Sequence, residues 1–121
     1  MSTIKNYIQQ LITEGGDQNF LIINLKNGAY LQLAAEKGSQ KIYIEVSGSN
    51  PKTNFLLSSK QIEELKQLDW TIESSPYHNN YSKNITLSDT QDIEVLEHLI
   101  HLTASIFETT FSAYSYNLCL E

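Results

Sequence analysis

Two histidines and two glutamates lie close together near the carboxyl end of the sequence. His98 and His101 are three residues apart. Glu94 and Glu97 each precede one of the histidines by four residues. On a helix this spacing brings imidazole and carboxylate groups to neighbouring positions, where they can ligate a metal ion. The order differs from His-Glu-x-x-His, and the sequence offers no evident third ligand. We therefore expect weak surface pairs and no bound metal. A metal-binding protein or an enzyme that uses His98 and His101 is the alternative hypothesis.

The rest of the sequence contains no recognisable catalytic motif. Cys119 is the single cysteine, which excludes an intramolecular disulfide, and it lies in a tail of alternating apolar residues without the signature of a cysteine enzyme. No carboxylate lies in an apolar run, where burial would raise its pKa toward a catalytic value. A Gly-x-Ser-x-Gly motif and a glycine-rich phosphate loop are also missing from the sequence. We predict a protein that is not an enzyme and has no catalytic residues and no cofactor.

The acidic residues are distributed unevenly along the chain. Residues 1–83 contain eight lysines and eight carboxylates, whereas residues 84–121 contain six carboxylates and no lysine. If residues 88–110 form a helix, four carboxylates crowd the outer face of its first half, and their field attracts a basic partner. The alternative interpretation is a solvated face that keeps the protein in solution. With two histidines and a tyrosine as an interface anchor, the predicted partner-binding residues are Asp89, Asp92, Glu94, Glu97, His98, His101 and Tyr81.

Length and net charge restrict the class of protein further. The chain has 121 residues, of which 40% are hydrophobic, so we expect one globular domain over residues 1–121. The formal net charge is −6 and the chain contains no arginine, which argues against nucleic-acid binding. No apolar stretch is long enough for a signal peptide or a membrane anchor. We therefore expect a cytoplasmic protein that binds neither nucleic acid nor membrane.

The amino-terminal half of the sequence predicts a helix followed by three strands. Apolar residues recur at helical spacing from Ser2 onward, until Gly15-Gly16 ends the pattern. Apolar or alternating runs then predict strands, and Asn27-Gly28 between the first two favours a type I′ turn. The three predicted strands, which pair in antiparallel fashion, are 19–26, 29–35 and 41–46.

The carboxyl-terminal half predicts two capped helices with short strands around them. Ser58 and Gln61 fit the capping box of a middle helix. Ser88 and Gln91 repeat this spacing at the start of a long amphipathic helix. The remaining predictions are a loop at 47–54, a middle helix that ends near 70, short strands at 71–73 and 81–86 around an excursion at 75–80, a long helix that ends at 110, and a terminal strand or extended segment at 113–121. The predicted fold class is α+β, with an antiparallel sheet of three to five strands packed against N-terminal, middle and long C-terminal helices.

The middle of the chain resembles a known family. Its run of leucine and serine, a short helix and a tryptophan is similar to the "leucine-serine, short helix, leucine-glycine-tryptophan" block of the TY-Chap family, which is related to the type III secretion chaperone-like fold and to the YbjN-like proteins. Asp69 stands where the family usually has glycine, and Tyr81 stands where it usually has tryptophan. The segments that carry the resemblance are Ile42–Val46, Phe55-Leu56, Leu57–Trp70 and Asn80–Asn84.

The resemblance implies a secretion chaperone-like fold and a protein that works by binding another protein. Secretion chaperones of this fold hold a partly unfolded client and usually act as homodimers, whereas immunity proteins of similar small folds bind a folded toxin. We therefore expect the chain to bind a cognate, basic toxin or effector protein and to neutralise or chaperone it. Homodimerisation is a further hypothesis. A purely structural subunit of a constitutive oligomer is a third hypothesis for the function.

Overall fold

The computed structural model describes residues 3–48, 57–74, 79–110 and 113–120. Within these ranges the protein has the predicted α+β class, with an antiparallel sheet packed against an N-terminal, a middle and a long C-terminal helix. The described helices are α1 (Thr3–Thr13), α2 (Ser59–Gln67) and α3 (Thr90–Ile106). The described strands are β1 (Asn19–Asn24), β2 (Tyr30–Ala35), β3 (Lys41–Val46), β4 (Thr71–Ser74), β5 (Asn79–Thr86) and β6 (Ser115–Cys119).

The described strands form one sheet in the order β4-β5-β3-β2-β1-β6. Strands that follow each other in the chain pair as β1 with β2, β2 with β3, and β4 with β5. Strand β5 returns to pair with β3, and β6 returns to pair with β1. The sheet has six strands in the described residues, one more than the upper end of the predicted range, because both short segments and the terminal segment join it.

One face of the sheet carries the core, because side chains alternate between the two faces along each strand. Leu33 lies directly opposite Leu21 on one side and Ile44 on the other, and all three are fully buried. Buried residues of the helices belong to the same cluster, including Ile8 of α1 and Ile100 of α3. We call this side the helix-covered face. The opposite side, which we call the open face, has half-exposed side chains that include Phe20, Ile22, Tyr30, Ala34, Tyr43 and Glu45.

The connection between β1 and β2 differs from the predicted turn. The hairpin itself is confirmed, but a 3-10 turn over Lys26–Gly28 replaces the type I′ turn. The Leu25 N–H donates to the Ala29 carbonyl at 2.8 Å, and both of these side chains are buried. Three residues, Lys26–Gly28, therefore separate the buried Leu25 and Ala29, instead of the two central residues of a type I′ turn. Gly28 adopts the left-handed conformation in this turn, with φ of 79°.

A buried asparagine closes the connection between α1 and β1. The Nδ2 group of Asn19 donates to the carbonyls of Leu11, Glu14 and Gly16 at 2.9 to 3.1 Å. Its Oδ1 accepts the Gly16 N–H at 3.1 Å. Gly15 has a φ of 83°, and a Cβ at this position would collide with the Asn19 side chain. The predicted end of the first helix is therefore confirmed, and Asn19 satisfies the carbonyls that the helix end leaves free.

The amino terminus of α2 is confirmed as a capping box. The Gln61 N–H donates to Ser58 Oγ at 3.1 Å, and the Ser58 N–H donates to Gln61 Oε1 at 2.8 Å. The Gln61 side-chain amide also donates to the carbonyl of Ile106, the last residue of α3, at 2.9 Å. The same side chain thus caps α2 and fixes it against α3, with Leu65 of α2 buried in the core.

Helices α2 and α3 end in the same hydrogen-bond pattern, the Schellman motif. The residue after the C-cap of such a motif has a positive φ and is usually glycine. Here it is Asp69 after α2, with φ of 62°, and Glu108 after α3, with φ of 56°. Helix α3 therefore ends at Ile106, earlier than the predicted end at Thr110. The N–H groups that close the two motifs are those of Trp70, bonded to the Leu65 carbonyl, and Thr109, bonded to the Ala104 carbonyl.

Several predicted features lie outside the described residues. They are most of the loop at 47–54, Phe55-Leu56 of the family-like block, residues 75–78 of the excursion predicted at 75–80, and the last residue of the chain. Residues 79 and 80 of that predicted excursion belong to β5 instead. Among the described helices, none combines the length and the apolar composition that crossing a membrane requires.

Candidate functional site

Helix α3 carries apolar side chains on two opposite sides. Leu96 and Ile100 are buried in the core. Val95 and Leu102 point away from it, with exposed fractions of 67% and 39%, and they are the exposed large hydrophobic residues of the described ranges. The exposed His98 lies between them, because positions i, i+3 and i+7 share one side of a helix. We call Val95, His98 and Leu102 the outer face of α3.

Asp89 and Asp92 are fixed at the amino terminus of α3. The predicted cap of Ser88 with Gln91 is wrong by one residue, because Asp89 is the N-cap. Asp89 Oδ1 accepts the Gln91 N–H at 2.8 Å and the Asp92 N–H at 3.1 Å. Asp92 Oδ2 in turn accepts the Ser88 N–H. A carboxylate binds these amides more strongly than a hydroxyl and is favoured by the helix dipole, which explains the shift.

Glu94 is paired with a lysine of α1. Lys5 Nζ lies 2.8 Å from Glu94 Oε1. The hydrogen bond lowers the pKa of the Glu94 carboxyl and raises the pKa of the Lys5 ammonium. The two residues are 89 positions apart in the sequence, so the distribution of charge along the chain does not reveal the pair. The fold therefore compensates the charge of Glu94, although this residue lies in the part of the sequence that contains no lysine.

Glu97 and His101 face β6 and the residue that precedes it. The Glu97 side chain is 18% exposed, and its Oε2 lies 4.0 Å from His101 Nε2. His101 Nδ1 lies 3.0 Å from the hydroxyl of Tyr114, and the two rings stack with their centroids 5.7 Å apart. Burial raises the pKa of Tyr114 to about 12, and the charge of the Tyr116 phenolate adds to this shift. His101 and Tyr114 thus form a packing contact of α3. Neither Glu97 nor His101 belongs to the outer face of the helix.

The structure contradicts the prediction that Tyr81 contacts a partner. Its exposed fraction is 2%, and it lies opposite Val46 on the helix-covered face of the sheet. Burial also raises the pKa of its hydroxyl. Tyr81 and Ile85 are an even number of residues apart in β5, so both point toward the core. This two-residue period was the signal in the sequence that could have placed Tyr81 correctly.

The four carboxylates of α3 therefore do not form one continuous surface, in contrast to the expectation from the sequence. Asp89 and Asp92 lie at the helix cap, and Glu94 lies beside Lys5. Glu97 faces away from the outer face, toward His101. Of the predicted partner-binding residues, His98 lies on the outer face, and the exposed Glu94 directly precedes Val95.

The histidine pair and Cys119 do not assemble a recognisable metal site. Across the described ranges, no group of three or more His, Cys, Asp or Glu side chains is close enough to hold a metal ion. His98 is exposed, whereas His101 is half-buried against Tyr114. The Cys119 thiol is half-buried and lies opposite Phe20 of β1. The two histidines thus have different environments.

The open face holds a hydrogen-bonded cluster that local sequence patterns do not reveal. Asn80 Nδ2 donates to Glu45 Oε1 at 2.9 Å, and the Tyr43 hydroxyl donates to Glu45 Oε2 at 3.2 Å. The Tyr30 hydroxyl also donates to Glu45 Oε1, at 3.4 Å; burial and then the Glu45 charge raise the pKa of Tyr30. Alternation predicts that Tyr43 and Glu45 share a face. Asn80 comes from β5, and no local pattern specifies that β5 pairs with β3.

A shallow hollow of about 500 Å³ lies beside this cluster on the open face. Ala34 forms part of its lining between Phe20 and Tyr43, which are its cross-strand neighbours. Lys41 and Asn84 line the same hollow. The open face is therefore a second candidate surface, against which the outer face of α3 has to be compared.

Comparison with known proteins gives no match for the chain among protein-family models, curated proteins or solved structures. The resemblance to the TY-Chap family therefore stays a prediction. The function is therefore inferred from the geometry of the outer face of α3 and of the open face.

Proposed function

We propose that the protein is a non-enzymatic binding module that holds a cognate basic toxin or effector protein on the outer face of α3, in the cytoplasm. The observation that carries this proposal is the exposure of Val95 and Leu102 in the middle of a helix whose other side is packed in the core. Covering apolar side chains of this size lowers the free energy of a complex. Exposed apolar residues that lie together are typical of surfaces that bind other proteins.

The charge around the outer face supports a basic partner. Glu94 is exposed directly beside Val95, and Asp89 and Asp92 lie at the start of the same helix. Helix α3 contains no lysine and no arginine. Lys5 compensates Glu94, whereas Asp89 and Asp92 keep a negative field at the start of the helix, which steers and orients a cationic protein.

The shape of the surface favours a folded partner. The outer face of α3 is the convex side of a helix, and such a face binds by entering a groove on the partner. A chaperone that holds an extended client needs a groove of its own. We therefore propose immunity-type neutralisation of a folded toxin as the first form of the function and chaperoning as the second. Salt separates them, because affinity for a folded basic toxin falls as ionic strength rises, whereas apolar binding of a client does not.

The proposal can be tested by capture from a native extract of the source cells. The immobilised chain is compared with the double variant Val95→Asp and Leu102→Asp, which places two charges on the outer face. The control carries Asn84→Asp and Thr86→Asp, which add the same charge on the exposed residues of β5. Reversing the charge of Asp89 or Asp92 is avoided because it would break the cap of α3.

We expect the wild type and the β5 control to retain the same basic protein and the outer-face variant to lose at least about tenfold in retained protein, which corresponds to about 1.4 kcal/mol. Unchanged capture by the outer-face variant would contradict the proposal. Loss in the β5 control with no loss in the outer-face variant would assign binding to the open face instead.

A further inference from the structure

The open face has a gap between two aromatic side chains. Ala34 of β2 lies directly opposite Phe20 of β1 on one side and Tyr43 of β3 on the other. All three side chains are half-exposed, and all three line the hollow of about 500 Å³. Because the side chain of Ala34 is a single methyl group, the space above it stays open between the two rings. We call Phe20, Ala34 and Tyr43 the aromatic slot.

The width of the aromatic slot matches one planar ring. Directly opposed residues of antiparallel strands have Cα atoms about 4.5 to 5.5 Å apart, so the Cα atoms of Phe20 and Tyr43 are about 10 Å apart across Ala34. Aromatic pairs are favoured when their ring centroids are about 4.5 to 7 Å apart. A ring above Ala34 therefore contacts both aromatic side chains at about 5 Å from each.

One wall of the aromatic slot is held in place by hydrogen bonds. The Tyr43 hydroxyl donates to Glu45 Oε2 at 3.2 Å, and Asn80 Nδ2 donates to Glu45 Oε1 at 2.9 Å. Asn80 is fixed in turn, because its Oδ1 accepts the Gly48 N–H at 3.2 Å. The ring of Tyr43 is therefore oriented before a ligand arrives, which reduces the entropy lost on binding.

Charged groups of both signs lie at one end of the aromatic slot. Asp17 precedes β1, Glu36 follows β2 and Lys41 begins β3, so antiparallel pairing brings the three to the same end of the sheet. All three side chains are exposed and line the hollow. None of the ion pairs found within the described ranges includes any of them. The hollow therefore offers an ammonium and two carboxylates to a ligand.

A free aromatic α-amino acid is complementary to this arrangement. Its carboxylate and its ammonium are bonded to one carbon, which a single CH₂ group separates from the ring. Two residues of a strand span about 7 Å, so the long side chain of Lys41 reaches a ligand that stacks on Tyr43. Asp17 and Glu36 accept charge-assisted hydrogen bonds from an ammonium at the same place. An aromatic acid without the ammonium would leave both carboxylates without a partner.

We propose that the hollow of the open face binds a free aromatic α-amino acid, whose ring enters the aromatic slot. The carboxylate of the ligand pairs with Lys41, and its ammonium pairs with Asp17 and Glu36. The site shares no residue with the outer face of α3. Binding of the amino acid and capture of a protein partner can therefore succeed or fail separately.

A titration with L-phenylalanine, followed by methyl NMR, tests the proposal. We expect the ligand ring to shift the Ala34 methyl signal in a saturable manner, whereas the Val95 methyl signals on α3 stay unchanged. Three analogues each lack one recognised group: L-leucine lacks the ring, L-phenylalaninamide the carboxylate, and N-acetyl-L-phenylalanine the ammonium. Each should bind about fivefold or more weakly than L-phenylalanine.

The analogues also separate a free amino acid from the end of a peptide. L-phenylalaninamide represents an amino-terminal aromatic residue, and N-acetyl-L-phenylalanine represents a carboxyl-terminal one. Either of them binding as well as L-phenylalanine would overturn the proposal of a free amino acid. Equal binding of L-leucine, or an Ala34 signal that L-phenylalanine does not shift at millimolar concentration, would overturn it as well.

Two pairs of variants locate the site, with binding of L-phenylalanine read from the backbone amide signals of β2. Ala34→Leu fills the aromatic slot and should weaken binding by about tenfold or more, whereas Ala34→Ser keeps it open and should bind as the wild type does. Lys41→Gln removes the cation and should weaken binding by about fivefold or more. Its control is Lys37→Gln, at an exposed lysine of the adjacent turn that does not line the hollow.

Thermal unfolding of each variant establishes that it is folded. Wild-type affinity in Ala34→Leu or Lys41→Gln, or the same loss in a variant and its control, would overturn the proposed site.

Discussion

The two faces of the sheet use the same strands in different ways. Ile23 of β1 is fully buried beneath the helices, whereas its neighbour Ile22 is half-exposed on the open face. The helix-covered face is closed by apolar packing. The open face instead holds the Glu45 cluster of hydrogen bonds, in which Asn80 and Tyr43 take part. The comparison shows that the fold depends mainly on one face, which leaves the other face and the outside of α3 available for binding.

The largest expected effect on stability comes from truncating two adjacent side chains of β1 that lie on opposite faces of the sheet. Ile23→Ala removes fully buried apolar atoms and leaves a cavity, which should lower the free energy of unfolding by about 2–5 kcal/mol. Ile22→Ala removes the same atoms from a half-exposed site and should have an effect of about 1 kcal/mol or less. Urea denaturation of both variants measures the difference. Equal losses would show that the open face is covered in solution.

A smaller effect is expected for a buried hydrogen bond under the helices. Trp70 Nε1 donates to Thr103 Oγ1 at 3.2 Å, and both residues are buried. Thr103→Val leaves the indole N–H without an acceptor and should lower the free energy of unfolding by about 1–3 kcal/mol. Thr103→Ser keeps the hydroxyl and serves as the control for the loss of the bond itself.

The corresponding variant on the open face is Tyr43→Phe, which removes a hydrogen bond to Glu45 where water can take the place of the hydroxyl. Its expected loss is about 0.5 kcal/mol or less. A larger loss for Tyr43→Phe than for Thr103→Val would reverse the comparison between the two faces.

Replacing the residue that follows the C-cap of α2 or of α3 should stabilise the protein. Asp69 and Glu108 have positive φ, which any residue with a Cβ adopts at a cost, and each places a negative charge at the negative end of a helix dipole. Asp69→Gly and Glu108→Gly should each raise the free energy of unfolding by about 0.5–1 kcal/mol. Asp69→Ala removes the charge but keeps the Cβ. If it stabilises the protein as much as Asp69→Gly, backbone strain is not the cause.

The weakest expected effect is a dependence of stability on alkaline pH. The pKa of Tyr114 is about 12 in the folded protein and 10.0 ordinarily, so the folded state holds this proton more tightly than the unfolded chain does. The contribution of Tyr114 is therefore fully present below about pH 10 and is lost as the pH rises toward 12. Thermal unfolding as a function of pH should show a shallower alkaline decline for Tyr114→Phe. An unchanged slope would show that the phenol is not buried.

Much of the fold follows from local sequence patterns, and the errors come from contacts between distant residues. Alternation predicts the strands β1 to β3, and the spacing of Ser58 and Gln61 predicts the start of α2, because each signal lies within a few residues. The ion pair of Lys5 with Glu94 joins two helices from opposite ends of the chain. A charge count along the sequence carries no information about such pairs.

The candidate site was predicted only in part for the same reason. Helical periodicity correctly separates the core side of α3 from His98. It does not reveal that Glu97 packs toward His101 beside β6, because that strand comes later in the chain and its pairing with β1 is set by the whole sheet. The same helical wheel also places Val95 and Leu102 on the side of α3 that faces away from the core.

The outer face of α3 can be tested most directly by methyl NMR of the protein with its captured partner. Methyl signals of Val95 and Leu102 report on the outer face, and those of Ile22 report on the open face. If the proposed function is correct, binding shifts or broadens the signals of Val95 and Leu102 and leaves those of Ile22 unchanged. Changes at Ile22 with unaffected signals at Val95 and Leu102 would contradict it.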